Sequence, residues 1–434
     1  MPIIIPGNRL ASTGYTIDQS IRFNDNDSPY MYRAFSGAGD LQKATMSCWL
    51  KMGNISTNKG IFTFISDKPL ELDSNNNLKV HAFGSNRLIT DREFLDPAAW
   101  YHIVLSIDST QAASTERIRL YVNGQRETSF STESYPSQNT NGSWWSSNFF
   151  QIGRTYGTSN YMDGYLAEIV YIDGTRLDSS SFGEYNSSGI WIPKDVSGLT
   201  FGTNGFYLKG ADSSALGTDS SGNGSNFTTS GLASNDQVTD TPTNNHATWN
   251  PITSSAQVYS NGNLNAATAS AAWKGGLTTA QVPLNSGTWY YEVYVDSAGS
   301  SSGQFSVGWS ESNRSMSDDN SSGDTEGWVT YALNGLYYAN GGTGSYGATY
   351  TTGDVIGCKI NTDTSSNNVE WYKNGASQGT RSQAFNTGGT GFISPYILLY
   401  GTRNGTARFA QAEWTQTPSG ITEDNAINTT NLGS

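Results

Sequence analysis

Residues Trp100–Gly124 read WYHIVLSIDSTQAASTERIRLYVNG. In the first part Ile103, Leu105 and Ile107 fall on alternate positions, and in the second Ile118, Leu120 and Val122 do the same. Successive side chains of a strand point to opposite faces, so a period of two predicts antiparallel strands with one face on a core and the other in water. Asn123-Gly124 then supplies two residues that tolerate positive φ, closing a tight hairpin.

The pattern extends in both directions. Upstream, Met46, Cys48, Leu50 and Met52 alternate with Thr45, Ser47, Trp49 and Lys51, which predicts a half-exposed sheet. Downstream, NFFQIGR and GYLAEIVYIDG repeat it, and Asp173-Gly174 reads as a second turn of the same kind. Only Leu177–Tyr185, with Asp178 as a cap, reads as briefly helical. Beyond Pro251 a second block begins: Trp289, Tyr291, Val293 and Val295 alternate, as do Phe305, Val307 and Trp309. WYKNG at Trp371–Gly375 repeats the hairpin device of LYVNG at Leu120–Gly124.

Between the blocks lies Ala215–Asn245, ALGTDSSGNGSNFTTSGLASNDQVTDTPTNN, which has no apolar period and is dense in turn-forming Gly, Asn, Asp, Ser and Thr. The expected fold is therefore all-β: two antiparallel β-sandwich domains joined by a turn-rich structured linker. The divisions read as an N-terminal arm over 1–20, a sandwich over 21–193, the joint over 194–250, a second sandwich over 251–415 and a polar tail over 416–434 lying along the surface or disordered. In the arm, Pro2 and Pro6 bracket Ile3, Ile4 and Ile5, either an edge strand for a neighbour or a terminal strand of its own domain.

Composition supports this. At 434 residues the chain has room for two cores. Charged residues make up 14% and aromatics 12%, with 48 glycines, which suits short strands and tight turns. The net charge of −13 and pI near 4.6 give a field that repels phosphate, so nucleic acid is excluded as a partner. Cys48 and Cys358 each sit inside a strand pattern in different blocks, as two buried free thiols. MPIIIPGNRL lacks a basic region, a long apolar core and a cleavage motif, and no transmembrane run exists, so the chain reads as made in a cytoplasm without a signal peptide and without membrane insertion.

Two family resemblances follow. WYHIV, RLYVNGQ and MDGYLAEIVYIDG resemble the second half of a laminin-G or concanavalin-like jelly roll, a two-sheet sandwich that often serves as a lectin or adhesion module. GTWYYEVYV, FSVGWS, TGDVIGCKINTD and VEWYKNG, over about Trp273–Trp414, resemble a SPRY domain, a sandwich that recognises proteins through loops at one end. The segments SFGEYNSSGIWIPKDVSG, NGFYLKG, ALGTDSSGNGSNF and DQVTDTPTNN, over roughly Met162–Asn250, also resemble a module of bacteriophage tail-fibre and other virion structural proteins, marine ones especially.

Catalytic motifs are weak. Gly342-x-Gly344-x-x-Gly347 fits a dinucleotide pattern but has no helix to present to a phosphate, and reads as a turn. Retaining glucanases need two carboxylates roughly 5 Å apart; the nearest candidate, Glu71-Leu72-Asp73, lacks a third acid. His81, His102 and His246 are scattered, with no partners for a relay or a zinc site. Asp219, Ser221 and Asn223, and Asp318, Asn320 and Ser322, reproduce the early spacing of a calcium loop, but Ser230 and Val329 stand where the closing Glu belongs. Asp, Asn and Ser make Asx turns unaided, so solvated turns are the simpler reading of both loops. No cofactor is expected beyond Ca2+ at these two loops.

Binding candidates are aromatic. Trp144 and Trp145, in TNGSWWSSN, point to opposite faces of an extended chain, so one either stacks on a sugar or partner or plugs the sandwich edge. Tyr337, Tyr338 and Tyr346 fall where the SPRY resemblance puts a variable recognition loop, in a Tyr, Gly, Ser and Asn mixture like that of paratopes. Together the resemblances imply a non-enzymatic virion surface protein: a tail-fibre or receptor-binding adhesin recognising host surface glycan or protein, trimeric by family analogy. The alternatives are a capsid decoration or fibre-base protein bound to other virion proteins and, third, a polysaccharide-degrading enzyme.

Overall fold

The computed structural model describes residues 14–35, 37, 39–142, 149–155, 157, 159–252, 257–299, 304–312, 327–339, 342–363, 367–385 and 391–432. They form two compact units that part at 243/244. Among them every strand pairing is antiparallel, and each unit is two stacked sheets.

The first unit stacks two eight-stranded sheets among the described residues. The back sheet runs, in spatial order, Gln125–Arg126, Ile118–Val122, Trp100–Asp108, Lys43–Met52, Gly164–Asp173, Ser20–Phe23 and Gln237–Val238, with Phe206–Leu208 also on Gly164–Asp173. The front sheet runs Phe130–Glu133, Ser85–Glu93, Asn77–Ala82, Lys68–Leu72, Lys59–Phe64, Phe149–Ile152, Tyr30–Ala34 and Thr228–Ser230. The predicted alternation is realised between the sheets: Met46, Cys48 and Leu50 from the back meet Phe62, Phe64 and Phe150 from the front in one buried cluster. Each fully buried Phe or Leu there contributes roughly 1.5–3 kcal/mol. Asn123 and Gly124, at φ 47° and 81°, close the predicted hairpin.

The half-exposed reading of the back sheet does not hold. Thr45, Ser47, Trp49 and Lys51, the polar side of the alternation, are all buried. The chain after Gly174 folds back over that face, and Phe182, Val196, Phe201 and Tyr207 pack on Val104, Tyr121, Val170 and Ile172. Asp173-Gly174 is accordingly no hairpin: only Gly174 has positive φ, at 80°, and the Asp173 N–H donates to Phe201 O at 2.8 Å. The expected helix shrinks to a 3-10 turn at Ser179–Ser181, followed by a ribbon of Gly183–Tyr185 on Trp191–Pro193. A Cβ on Gly183 would come within 2.5 Å of the Trp191 ring, so this close approach requires glycine.

The joint is likewise a correction. Residues 194–243 belong to the first sandwich: Phe206–Leu208 pairs with Gly164–Asp173, Thr228–Ser230 extends the front sheet beside Tyr30–Ala34, and Gln237–Val238 extends the back sheet beside Ser20–Phe23. Charge fixes the last of these in place. Lys51 Nζ, in a side chain 0% exposed, meets Asp240 Oδ2 at 2.7 Å, and Trp100 Nε1 donates to Asp240 Oδ1 at 3.1 Å. Of the arm, the described part is also part of this sandwich: Ile17 is buried beside Trp49, Tyr165 and Val238. Ile3, Ile4 and Ile5 lie outside the described residues.

The second unit stacks two seven-stranded sheets among the described residues. One runs Val258–Ser260, Asn265–Thr268, Arg403–Arg408, Thr288–Ser297, Val355–Asn361, Asn368–Lys373 and Ala376–Ser382. The other runs Trp273–Leu277, Phe392–Tyr400, Phe305–Glu311, Trp328–Ala332, Leu336–Ala339 and Gly342–Ser345, with Val282–Pro283 also on Phe392–Tyr400. Tyr291, Trp309, Tyr331 and Trp371 fill the space between, and Trp371 Nε1 donates to Val307 O at 3.0 Å. Residues 244–250 belong here: Ala247 N–H donates to Ile427 O at 2.9 Å and Trp249 is 0% exposed.

The polar tail also differs from expectation. Ile421, Ala426, Ile427 and Leu432 are buried. Glu292, at 0% exposure, anchors the segment by accepting from the N–H of Thr415 at 2.9 Å and of Gln416 at 3.0 Å, with Arg408 at 3.5 Å. Both cysteines are free and buried, as expected, and burial pushes both thiols up.

Candidate functional site

Glu71, Asp73 and His102, weighed above for catalysis, each have structural partners. Glu71 pairs with Lys79 at 2.7 Å on the neighbouring strand. Asp73 instead organises a turn, accepting from the N–H of Asn75 at 2.9 Å and of Asn77 at 3.0 Å. The two carboxylates therefore serve different structures. The His102 ring, 1% exposed, lies between Trp49 and Trp191, at 4.7 and 5.9 Å. Trp191 Nε1–H donates to its Nδ1 at 3.0 Å, which leaves Nε2–H to donate to Ser47 Oγ at 2.9 Å. Burial holds that imidazole neutral, lowering its pKa to about 3.

Another buried carboxyl stands at a bulge in Gly164–Asp173, where Glu168 takes φ 50°. Tyr207 Oη–H and Tyr15 Oη–H donate to it, the latter at 3.4 Å, and the two hydroxyls meet at 3.0 Å. Burial raises the Glu168 pKa to about 7, against the hydrogen bonds of the two tyrosines and the charge of Lys209, which lower it. These hydrogen bonds hold a non-glycine residue in the left-handed region, which costs about 1–3 kcal/mol.

The loop at Asp219, Ser221 and Asn223, weighed above between a calcium site and an Asx turn, is organised by hydrogen bonds. Asp219 Oδ1 accepts from the N–H of Tyr207 and of Ser221, both at 2.9 Å. Its Oδ2 accepts from Ser221 Oγ–H and Ser225 N–H, both at 2.8 Å. Asn223 Nδ2 donates to Gly202 O at 2.7 Å and Gly205 O at 3.0 Å. The geometry is that of an Asx turn tying the joint to Phe206–Leu208. The second loop, Asp318, Asn320 and Ser322, lies outside the described residues, as do Trp144 and Trp145.

The three tyrosines of the second unit do not form one site. Leu336–Ala339 and Gly342–Ser345 pair as a hairpin at the sheet edge, so neighbouring side chains point to opposite faces. Tyr337 packs on the inner cluster with the Arg381 guanidinium 3.7 Å from its ring centroid. Tyr338 lies on the outer side beside Trp328 and Tyr396, and Asn334 Nδ2 donates to its hydroxyl at 3.1 Å. Tyr346 is a packing residue: its ring lies 5.4 Å from Tyr331 and 5.2 Å from Trp371, and its hydroxyl donates to Gly379 O and accepts from Trp371 N–H at 3.2 Å.

The front sheet carries an aromatic strip that the sequence reading passed over. Met31, Phe150 and Ile152 point inward, so Tyr30, Tyr32, Phe149 and Gln151 face outward. Tyr30 and Tyr32 stack at 5.6 Å, and Tyr32 and Phe149 at 5.7 Å. All three rings are partly exposed. Arg154 lies over Tyr30, 3.4 Å from its centroid, and donates to the Tyr161 hydroxyl at 3.4 Å. The signal was available as Tyr-Met-Tyr in PYMYRAF, an alternation whose outward members are flat and amphipathic, but no turn or loop marks it.

Residues 24–180 match the family described as Concanavalin A-like lectin/glucanases superfamily, of laminin-G type, and residues 288–412 match the SPRY domain family. Among solved structures, the SPRY domain of human HERC1 is 18% identical, covering 37% of this chain and 96% of its own, with a TM-score of 0.29. A second human SPRY domain is 18% identical over 36% of this chain and 96% of its own, at 0.28. A putative carbohydrate binding protein from Bacteroides ovatus is 18% identical over 50% of this chain and 58% of its own, at 0.34. No curated protein matches the chain. The chain thus carries a laminin-G-like, concanavalin-like domain followed by a SPRY domain, both β-sandwiches.

Proposed function

We propose that the chain is a noncatalytic recognition protein on the surface of a bacteriophage particle, a tail-fibre or receptor-binding adhesin that holds host surface glycan or protein. One observation carries the binding reading. Glu71, Asp73, His102, Asp219 and Glu292 are all engaged in structural bonds, while partly exposed aromatic rings stand on the sandwich surfaces. Such rings supply contact area at little entropic cost and suit recognition rather than bond cleavage. The two binding-type domains support it, and the phage-like segments over Met162–Asn250 support the virion location. Its partners are then other virion proteins and the host surface, with the chain assembled as a homotrimer.

A second reading, a capsid decoration or fibre-base protein, is favoured by the sequence lacking the heptad or collagen-like repeats of a fibre shaft. Immunogold labelling of intact particles separates the two. Label at the tail tip or fibre is expected; label confined to the capsid refutes the adhesin. Incubation with host polysaccharide is expected to release no reducing sugar, and release would refute the noncatalytic assignment.

A further inference from the structure

We infer that Glu168, Tyr15 and Tyr207 form a proton-controlled latch: the protonated cluster holds residues 14–19 on the first sandwich, and its ionisation releases them. The latch depends on no ligand and on no particle.

The segment is weakly tied. Residues 14–19 belong to no strand, and Gly14, Thr16 and Asp18 are exposed. Among the described residues its polar attachments are two. Thr243 Oγ1 accepts from Ile17 N–H at 3.1 Å and donates to Ile17 O at 3.0 Å. The Tyr15 hydroxyl reaches Glu168 Oε1 at 3.4 Å and the Tyr207 hydroxyl at 3.0 Å. Ile17, buried beside Trp49, Tyr165 and Val238, adds one apolar side chain.

Proton counting shows which form of the cluster fits this geometry. Glu168, Tyr15 and Tyr207 close a ring of three contacts: Tyr207 with Oε2, Tyr15 with Oε1, and hydroxyl with hydroxyl. An ionised carboxylate leaves two hydroxyl protons for three contacts. Both point at the carboxylate, and the two tyrosine oxygens then face each other without a proton. A protonated carboxyl supplies the third: Oε2–H donates to Tyr207, Tyr207 to Tyr15, and Tyr15 to Oε1. The ring as it stands is therefore the neutral one. Ionisation also leaves a charge where Glu168 is 6% exposed and Tyr207 0% exposed, and water reaches that charge only when Tyr15 moves off.

The neighbouring charges do not alter the sign. Facing the carboxyl are Tyr15 from the segment, Tyr207 and Lys209 from Phe206–Leu208 and the residue after it, and Asp195 from the chain that covers the sheet. Lys209 lies over both rings, 5.7 Å from that of Tyr15 and 5.3 Å from that of Tyr207, and Asp195 opposes its charge. Burial pushes both tyrosine hydroxyls up, so the carboxyl is the member that changes charge near neutrality, where burial places its pKa at about 7. Docking of the segment is thus strongest with the proton bound and weakens as pH rises through that value.

The test is hydrogen exchange of the full chain at about pH 5.5 and about pH 8.5, each corrected for the intrinsic rate, read on the peptide over 14–19. Its protection should fall about tenfold at the higher pH, the equivalent of one pKa unit, while Gly164–Asp173 stays protected. Glu168→Gln, whose amide both donates and accepts without titrating, should abolish the dependence. Tyr15→Phe should lower protection at pH 5.5 to the native level at pH 8.5. Thr243→Val, which loosens the segment without touching the cluster, should lower protection at both pH values and keep the tenfold ratio. If Glu168→Gln fails to fold, as thermal melting will show, Tyr15→Phe decides. Equal protection of the native peptide at both pH values, a tenfold ratio that persists in folded Glu168→Gln or in Tyr15→Phe, or equal loosening of Gly164–Asp173 would each overturn the latch.

Discussion

Replacing Asp240 with Ala tests whether the turn-rich stretch is part of the first sandwich. In the native fold its carboxylate neutralises Lys51 at 2.7 Å and accepts from Trp100 Nε1 at 3.1 Å, with the two charged side chains 0% and 7% exposed. Removing one partner of such a pair costs about 3–5 kcal/mol, because the other charge stays buried. The cost has a ceiling. Burial already lowers the Lys51 pKa, and in the variant the ammonium can release its proton. From an ordinary value near 10.4, at about 1.36 kcal/mol per unit, deprotonation limits the charge penalty to roughly 4.6 kcal/mol at pH 7 and roughly 2 kcal/mol at pH 9. Urea unfolding of the full chain at both pH values, with hydrogen exchange of the peptide 236–243, reads the effect. The expected result is a loss of about 3–5 kcal/mol at pH 7, smaller at pH 9, with faster exchange across 236–243. Lys51→Met with Asp240→Leu should recover most of it, since a matched apolar pair leaves no buried charge. A loss under about 1 kcal/mol at pH 7, or a double variant as unstable as the single, would refute the latch.

Three further outcomes are expected. His102 has a pKa lowered to about 3, so the unfolded chain binds its proton first and stability falls as pH drops below about 6.5, by up to about 1.4 kcal/mol per unit. Glu168, raised to about 7, does the reverse: the folded state holds the proton, and stability falls as pH rises from about 4.5 to 7. The two slopes oppose between about pH 4.5 and 6.5, so Glu168→Gln should steepen the acid-side loss and His102→Gln should reverse the slope in urea titrations. Asp219→Ala should destabilise the first sandwich by about 1–3 kcal/mol, equally in calcium and in chelator; a melting temperature that rises with calcium in the native chain would restore the ion site. Tyr346→Phe should lower stability of the second sandwich by about 0.5–1.5 kcal/mol, measured by denaturant midpoint, because its hydroxyl bonds Trp371 N–H and Gly379 O.

The alternation of Met46, Cys48 and Leu50, of Ile103 and Leu105 and of Tyr291 and Val293 determined by itself that the chain is all-β and that it forms two sandwiches, because a period of two leaves a strand only one way to bury its apolar side. Asn123-Gly124 and Asn374-Gly375 placed two hairpins as surely, since positive φ is a local property of the residue. What local pattern does not encode is which polar face meets another segment. Lys51 reads as solvent-exposed until Asp240, far along the chain, is brought to it. Thr415–Ser434 reads as a polar tail until Glu292 collects its backbone N–H groups. Tyr30, Tyr32 and Phe149 become a surface only when two strands separated by more than a hundred residues pair in register. Such pairings are set by tertiary packing and by the cost of leaving buried charge or backbone unsatisfied, so the composition of Ala215–Asn245 specified turns, and only the fold decided that those turns complete a sandwich.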